Sequence, residues 1–390
     1  MLLIAIVIAG CRTQEEAKTP YDKPLAPGQF ALRKIKNSHE IPDFTRACFD
    51  LNQLRASIAN SLNYLRKPSS QQFFPVGEIT HTLAVDSLNA FAELLDSRLT
   101  ARRMNEAIRE KFDVYMSVGC DNNGTVLFTG YYTPIFDGSM VRTERFQYPL
   151  YKMPNDLLKG PNGETLGRRA ADGQLTLYPS RTEIEESGML EGTELVWLSD
   201  PFEVYITHVQ GSAKIRLPDG KLTTVGYAAN NGHEYKSVSK ELLQDGRISS
   251  KQMSLSAMID YFKRYRGHVD VYVRRNPRFV FFKIEDGEPR GSLNELVIPF
   301  RSIATDKSIF PRGCLTFIST ILPKETGRTV TSQYYSGFAL DQDTGGAIRA
   351  PGRCDVYMGQ GDAAGKLAGQ TYQEGRLYYL FLKSTPPLGG

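Results

Sequence analysis

The chain has 390 residues and a net charge of +4, with 47 basic and 43 acidic residues. The basic residues are interspersed, without the runs that mark a nucleic-acid binder, so no nucleic-acid partner is expected. A chain of this length can bury one or two sizeable cores, and two domains are expected.

The chain opens on Leu2-Leu3-Ile4-Ala5-Ile6-Val7-Ile8-Ala9-Gly10-Cys11, an apolar run too short to span a bilayer but suited to a secretory signal core. Ile8-Ala9-Gly10-Cys11 has the form of a lipobox, in which the cysteine takes the lipid and becomes the mature N-terminus; the Lys or Arg that usually precedes the apolar run is missing. Residues 1–11 therefore read as a lipoprotein signal and residues 12–29 as a polar tether. The expected location is the outer membrane, lipid-anchored and facing the periplasm. Without Cys11, four cysteines remain, Cys48, Cys120, Cys314 and Cys354, an even number in an exported chain where disulfides persist. No Cys-x-x-Cys spacing occurs and the five histidines are scattered, so no metal is expected.

Leu51, Leu54, Ile58, Leu62 and Leu65 recur at spacings of three and four, which predicts an amphipathic helix over 50–66. Leu88, Phe91 and Leu95 share one face of a second helix over 82–97, and residues 101–113 keep a helical composition up to the turn Asp121-Asn122-Asn123-Gly124. From Thr125 the character becomes β, with Val126, Phe128 and the tyrosines suited to a strand. Short strands and turns are expected between about 135 and 275. Ala213 to Leu217 alternate apolar and polar residues, and Leu217-Pro218-Asp219-Gly220-Lys221 signals a hairpin. A helix follows with Leu255, Met258, Ile259 and Phe262 on one face and Ser254 as its cap. After Asn276-Pro277 strands are expected at Phe279–Lys283, Glu295–Phe300, Cys314–Ser319, Gly337–Leu340 and Leu377–Leu382.

The stretch from Gly345-Gly346-Ala347-Ile348 to Cys354-Asp355-Val356-Tyr357-Met358-Gly359-Gln360-Gly361-Asp362 sets a carboxylate at the end of a glycine-rich approach. Val356 and Tyr357 are expected to restrict water around Asp355, and desolvation raises a carboxyl pKa by disfavouring the charged form. Asp343-Thr344-Gly345 also spells the aspartic-protease triplet, but such enzymes need two of these aspartates sharing a proton, and it occurs once here.

Further segments accompany that stretch: Phe128-Thr129-Gly130-Tyr131-Tyr132-Thr133-Pro134, Phe146-Gln147-Tyr148-Pro149-Leu150-Tyr151, Tyr178-Pro179-Ser180-Arg181, His208-Val209-Gln210-Gly211-Ser212, Gly232-His233-Glu234-Tyr235-Lys236-Ser237, Asn276-Pro277-Arg278-Phe279-Val280-Phe281-Phe282 and Ile303-Ala304-Thr305-Asp306-Lys307-Ser308-Ile309. In order and spacing, from about 125 to 385, they resemble the membrane-bound lytic transglycosylase A family of peptidoglycan-cleaving lipoproteins. The resemblance implies a mainly β fold with N-terminal helices. A double-psi β-barrel catalytic domain would be split between 30–134 and 284–390, with a β-rich domain inserted over 135–283 and substrate in the groove between them. Cys48–Cys120 and Cys314–Cys354 are then the favoured disulfides, each within one half of the split domain.

The resemblance also implies the chemistry. Glycoside hydrolases usually use two carboxylates, whereas a lytic transglycosylase lets the muramoyl C6 hydroxyl attack its own C1, so one carboxyl group serves as acid and then as base. Asp355 takes that role by resemblance, with Asp343 and Asp362 orienting it, stabilising positive charge at C1, or hydrogen-bonding the glycine-rich loops. The loop Ala350-Pro351-Gly352-Arg353 before it can shift its placement. Tyr131, Tyr132, Gln210, Ser212 and Tyr357 are candidates for stacking on sugars or hydrogen-bonding to them, and Gly130 and Gly211 would let the backbone approach the glycan. One of Tyr131 and Tyr132 is expected to point into the core, because neighbours on a strand face opposite ways. The implied partner is the peptidoglycan glycan strand; a glycan-binding barrel without catalysis and an ordinary hydrolase are the alternatives, and protein partners in wall synthesis or division stay open.

Overall fold

A computed structural model describes residues 21–383, apart from 162, 171, 250–252 and 328. Cys11 and half of the tether lie outside the described residues. The elements in chain order are β1 (Leu32–Lys34), α1 (Leu54–Leu65), α2 (His81–Asp96), α3 (Ala101–Lys111), β2 (Phe112–Ser117), β3 (Val126–Thr133), β4 (Ile135–Ser139), β5 (Tyr148–Tyr151), β6 (Leu157–Lys159), β7 (Thr165–Arg169), β8 (Leu175–Thr176), α4 (Arg181–Ser187), β9 (Glu194–Leu198), α5 (Pro201–Gln210), β10 (Ser212–Arg216), β11 (Leu222–Asn230), α6 (Val238–Gln244), α7 (Leu255–Arg264), α8 (His268–Val273), β12 (Val280–Glu285), β13 (Ser302–Ala304), β14 (Leu315–Thr326), β15 (Thr329–Asp343), β16 (Arg353–Gln360), α9 (Gly361–Gln370) and β17 (Tyr372–Leu382).

The periodic apolar residues do what their spacing predicts. Leu54, Ile58, Leu62 and Leu65 form the buried face of α1, and Leu88 and Phe91 that of α2. Thr80 and Thr100 cap α2 and α3 by accepting from Leu83 N at 3.1 Å and Arg103 N at 3.4 Å, each satisfying an orphan amide of a first turn. These helices lie against the barrel, where the Phe91 ring meets Phe338 at 5.0 Å. The third helix stops at Lys111 rather than 113, and Phe112 and Asp113 open β2.

The large sheet runs β1-β2-β17-β14-β15-β13-β16-β3, and β3 pairs back onto β17. That second pairing closes six strands, β17-β14-β15-β13-β16-β3, into a barrel. The chain leaves it after β3, builds the sheet β12-β11-β10-β4-β9-β5 with the smaller sheet β6-β7-β8, and returns through β13. The expected hairpin joins β10 to β11: Gly220 N donates to Leu217 O at 2.8 Å and Leu217 N to Lys221 O at 2.9 Å, with Gly220 at φ +82°.

The middle of the chain is more helical than its composition suggests. The Asp200-Pro201 start of α5 is a proper helix entry, with Asp200 accepting from Phe202 N at 2.8 Å, but Val204, Ile206, Thr207 and Val209 are β-branched. Packing of Phe202 and Ile206 against Val238, Leu242, Phe262 and Val269 overrides that preference. Glu295–Phe300, expected as a strand, is irregular. Asn294 and Phe300 have positive φ, Pro299 has no amide to give a ladder, and Glu295 instead accepts from Lys67 Nζ at 2.5 Å and Asn63 Nδ2 at 2.8 Å.

The expected disulfides are not present: Cys48, Cys120, Cys314 and Cys354 are all free and buried. Cys314 stands immediately before β14 and Cys354 on β16, strands three apart whichever way the closed ring is followed. Across six strands spaced about 4.8 Å apart that is roughly 10 Å, beyond the about 7 Å that a disulfide spans between Cα atoms. Cys48 sits in the helical turn Ala47–Phe49 and Cys120 in the turn between β2 and β3.

Candidate active site

Strand β16 runs parallel to β3, with Asp355 opposite Thr129 and Tyr357 opposite Tyr131. Alternation puts Cys354, Val356 and Met358 into the core and leaves Arg353, Asp355 and Tyr357 on the other face. On β3 the same alternation sends Phe128 and Tyr132 inward and Thr129, Tyr131 and Thr133 outward. The two outward rows meet. The Thr129 hydroxyl donates to Asp355 Oδ1, the Tyr357 hydroxyl and Thr133 Oγ1 share a hydrogen bond of 3.0 Å, and the Tyr131 and Tyr357 rings lie 5.1 Å apart. Arg353 reaches Asp355 Oδ1 at 3.4 Å, and that side chain keeps 16% of its surface exposed. Among the described residues, Oδ2 of Asp355 takes no hydrogen bond.

Asp343 arrives from the far side of β13. Ala304 pairs with Asp355 on β16 and with Asp343 on β15, so the two carboxylates flank one small residue, with backbones about 10 Å apart at two strand spacings. Burial raises the Asp343 pKa, opposed by the amides of Ser292 and Thr344, which both donate to its Oδ1 at 2.8 Å. The Tyr131 hydroxyl is buried without a well-formed hydrogen bond. Its pKa is pushed well up, by burial first and then by Asp343. Asp355, Asp343, Tyr131 and Tyr357 therefore belong to one constellation.

The apolar shielding expected around Asp355 takes a different form. Val356 points to the opposite face, and Tyr357, 1% exposed, lies beneath Tyr131, so its ring supports the site and offers no stacking surface. The loop from Asp343 to Arg353 is pinned at both ends: Thr344 Oγ1 donates to Thr305 O at 2.8 Å, and Ala350 N donates to Asp306 Oδ2 at 2.9 Å. A Cβ at Gly346 would stand 2.9 Å from Arg278 Nε of the inserted domain, so glycine there lets the loop meet the facing wall.

The remaining candidates are placed elsewhere or otherwise employed. Tyr132 is the inward tyrosine, 6% exposed. Gln210 Oε1 accepts from Tyr132 N at 3.1 Å, tying α5 to β3, and Ser212 opens β10 opposite Gly226. Gly211 ends α5 in the left-handed region, φ +77°, with open space around a hypothetical Cβ, so it is a helix terminator. Asp362 is exposed in the first turn of α9, seven residues beyond Asp355, where it complements the helix N-terminus. Gly130 admits α9, since its Cβ would lie 2.7 Å from Ala368 Cα, both of them backbone-bound atoms that cannot step aside. Gly130→Ala is expected to cost about 1–3 kcal/mol of stability, as overpacking typically does, read from the urea midpoint. Thr129 and Arg353, which touch Asp355, were not singled out by the sequence; only the pairing of β3 with β16 puts Thr129 there.

A closed six-stranded barrel with two aspartates on one face, and with a second domain inserted into its sequence that meets the barrel's Gly346 loop at Arg278, defines a two-domain β-barrel protein. Two family profiles match it, "MltA specific insert domain" over residues 127–283 and "3D domain" over 301–381. Membrane-bound lytic murein transglycosylase A of Escherichia coli is 30% identical over 334 residues, 85% of this chain and 82% of that protein. Its Vibrio cholerae counterpart is 31% identical over 271 residues, 69% and 68% of the two chains. Among solved structures, the membrane-bound lytic murein transglycosylase of Agrobacterium tumefaciens shares the fold, with a TM-score of 0.75 at 24% identity over 90% of this chain and 98% of that one. Escherichia coli MltA with bound chitohexaose gives 0.67 at 26% identity over 94% and 99%. The chain belongs to the membrane-bound lytic transglycosylase A family and is an enzyme of the lytic transglycosylase class.

Proposed function

We propose that this enzyme cleaves the β-1,4 bond between N-acetylmuramic acid and N-acetylglucosamine in peptidoglycan without water, leaving 1,6-anhydromuramoyl ends. The observation that carries this reading is the free Oδ2 of Asp355 on the face it shares with Asp343 and Tyr131. Asp355 gives a proton to the leaving glycosidic oxygen as the C1–O bond breaks. The muramoyl C6 hydroxyl attacks C1 and returns a proton to the same carboxylate, so the enzyme is regenerated and no water is consumed. Asp343, held by two amides, lies where it can balance positive charge developing at C1, and tethering the nucleophile in the substrate removes the cost of bringing it in. The glycan lies in the groove under the inserted domain, whose limits are 135–283, the barrel being 30–134 with 284–390. Glycan binding is supported by the chitohexaose bound to the Escherichia coli relative. Mass spectrometry of muropeptides released in ¹⁸O water tests the reading. Anhydro ends without ¹⁸O are expected; ends carrying solvent oxygen would make the protein a hydrolase, and binding without any released product would make it a glycan-binding barrel.

The same reading places the protein on the periplasmic side of the outer membrane, held by lipid on Cys11. The support is the Ile8-Ala9-Gly10-Cys11 sequence and the "membrane-bound" name of the relatives. Among the described residues no helix is long and apolar enough to cross a membrane. Acyl chains add about 0.8 kcal/mol of membrane affinity per buried CH₂, so a Cys11→Ser protein is expected to leave the membrane fraction and lose the lipid mass. An unchanged mass and fractionation would contradict the anchor.

A further inference from the structure

Arg353 and Thr129 close a triangle on one oxygen of Asp355. Arg353 and Asp355 stand two apart on β16 and so share a face, while the pairing of β16 with β3 sets Thr129 directly opposite Asp355. Arg353 Nη2 donates to Thr129 Oγ1 at 3.2 Å and to Asp355 Oδ1 at 3.4 Å, and the Thr129 hydroxyl donates to the same Oδ1. Among the described residues the guanidinium makes no other hydrogen bond, and its Nε is buried without a partner. By hydrogen bonding, the Arg353 side chain therefore braces only this carboxyl and its threonine.

The chemistry of the donors fixes where a proton can sit. A guanidinium carries donors and no acceptor, so Thr129 Oγ1 accepts from Arg353. Among the described residues Thr129 Oγ1 has Asp355 as its only acceptor, so its single hydrogen goes to Oδ1. Two donors, one of them a cation, then point at Oδ1. A carboxyl proton placed there would lie against both, whereas Oδ2 takes no hydrogen bond among the described residues. The proton of the neutral acid is left to Oδ2. Without Arg353 the constraint lapses, because the Thr129 hydroxyl is then free to turn, accept from a protonated Oδ1 and give its own hydrogen to water.

We propose that Arg353 is a positioning residue that confines the acid's proton to Asp355 Oδ2 by holding the Thr129 hydroxyl toward Oδ1. In the ionised carboxylate the same two donors keep Oδ1 occupied, so the C6 proton returns to Oδ2 and the cycle closes on one oxygen. The inference rests on the reading of Asp355 as acid and base, and adds which oxygen works and what enforces the choice.

The test is steady-state kinetics of the whole protein on a soluble peptidoglycan tetrasaccharide, with chitohexaose affinity by calorimetry and thermal melting to show that each variant binds and is folded. The Arg353 side chain is 20% exposed, so methionine replaces it without opening a cavity in the core. Arg353→Met is expected to lower kcat about tenfold, the scale of one hydrogen bond kept or lost, with KM and chitohexaose affinity held within about twofold. Arg353→Lys, whose ammonium likewise only donates, is expected to keep most of the rate. In a Thr129→Val background no hydroxyl remains to be turned, so Arg353→Met is expected to cost little there, and the shortfall from additivity measures the coupling. A full kcat in Arg353→Met, a loss in KM alone, or an undiminished cost in the Thr129→Val background would overturn the proposal. Asp355→Asn is scored beside them. Normal turnover in that variant defeats the acid reading and this proposal with it, whereas an inactive Asp355→Asn beside an unimpaired Arg353→Met defeats the positioning role alone.

Discussion

Asp355→Asn is expected to lower peptidoglycan cleavage by about 10²-fold to 10⁴-fold, the range that general acid–base groups contribute. Asparagine keeps the shape and can still accept from Thr129, so the outward face of β16 is preserved, but it cannot donate and take back a proton. Glycan affinity is expected to survive. Asp343→Asn is the informative companion, because its Oδ1 is already committed to the amides of Ser292 and Thr344. If Asp343 acts on charge at C1, that variant loses part of the rate while its product keeps the anhydro end. Unchanged turnover in Asp355→Asn would mean that a different carboxylate carries the proton, and burial makes Asp343 the next to examine.

The second large effect is on stability. Lys307 pairs with Asp341 where both side chains are almost wholly enclosed, at 5% and 0% exposure. Asp341 also accepts from Tyr379 at 2.7 Å and from Thr305 at 2.7 Å. Lys307→Met is expected to cost about 3–5 kcal/mol, because it strands a carboxylate in a place without water. The double variant Lys307→Met with Asp341→Leu is expected to recover much of the loss, since an apolar pair of similar volume often matches a buried ion pair. Urea unfolding with an unchanged m-value would read both. A single variant as stable as wild type would show that the pair contributes nothing. The same change should disturb the site, because Thr305 N donates to the Asp343 carbonyl at 3.1 Å and thereby ties this pair to the end of β15.

Sequence by itself determined whatever depends on near neighbours in the chain. The apolar spacing of α1, α2 and α7, the Ser254 cap on α7, which accepts from Ala257 N at 3.3 Å, and the Pro218-Asp219-Gly220 turn were all legible, because turn chemistry and helical periodicity act over a few residues. So was the glycine-rich approach to Asp355, and the alternation rule that only one of Tyr131 and Tyr132 can face inward. Tertiary structure decided which one. The parallel pairing of β3 with β16 joins Thr129 to Asp355 across 226 residues, and a one-residue slip of that register would turn every side chain on β16 to the opposite face. The closed strand order likewise set Cys314 and Cys354 on opposite sides of the barrel, where an even cysteine count had suggested a bond. Gly130 and Tyr357 carry the same lesson, since the one admits α9 and the other supports Tyr131. Strand order, register and the packing of distant elements are set by which apolar faces can be buried together, and neither composition nor local spacing encodes that choice.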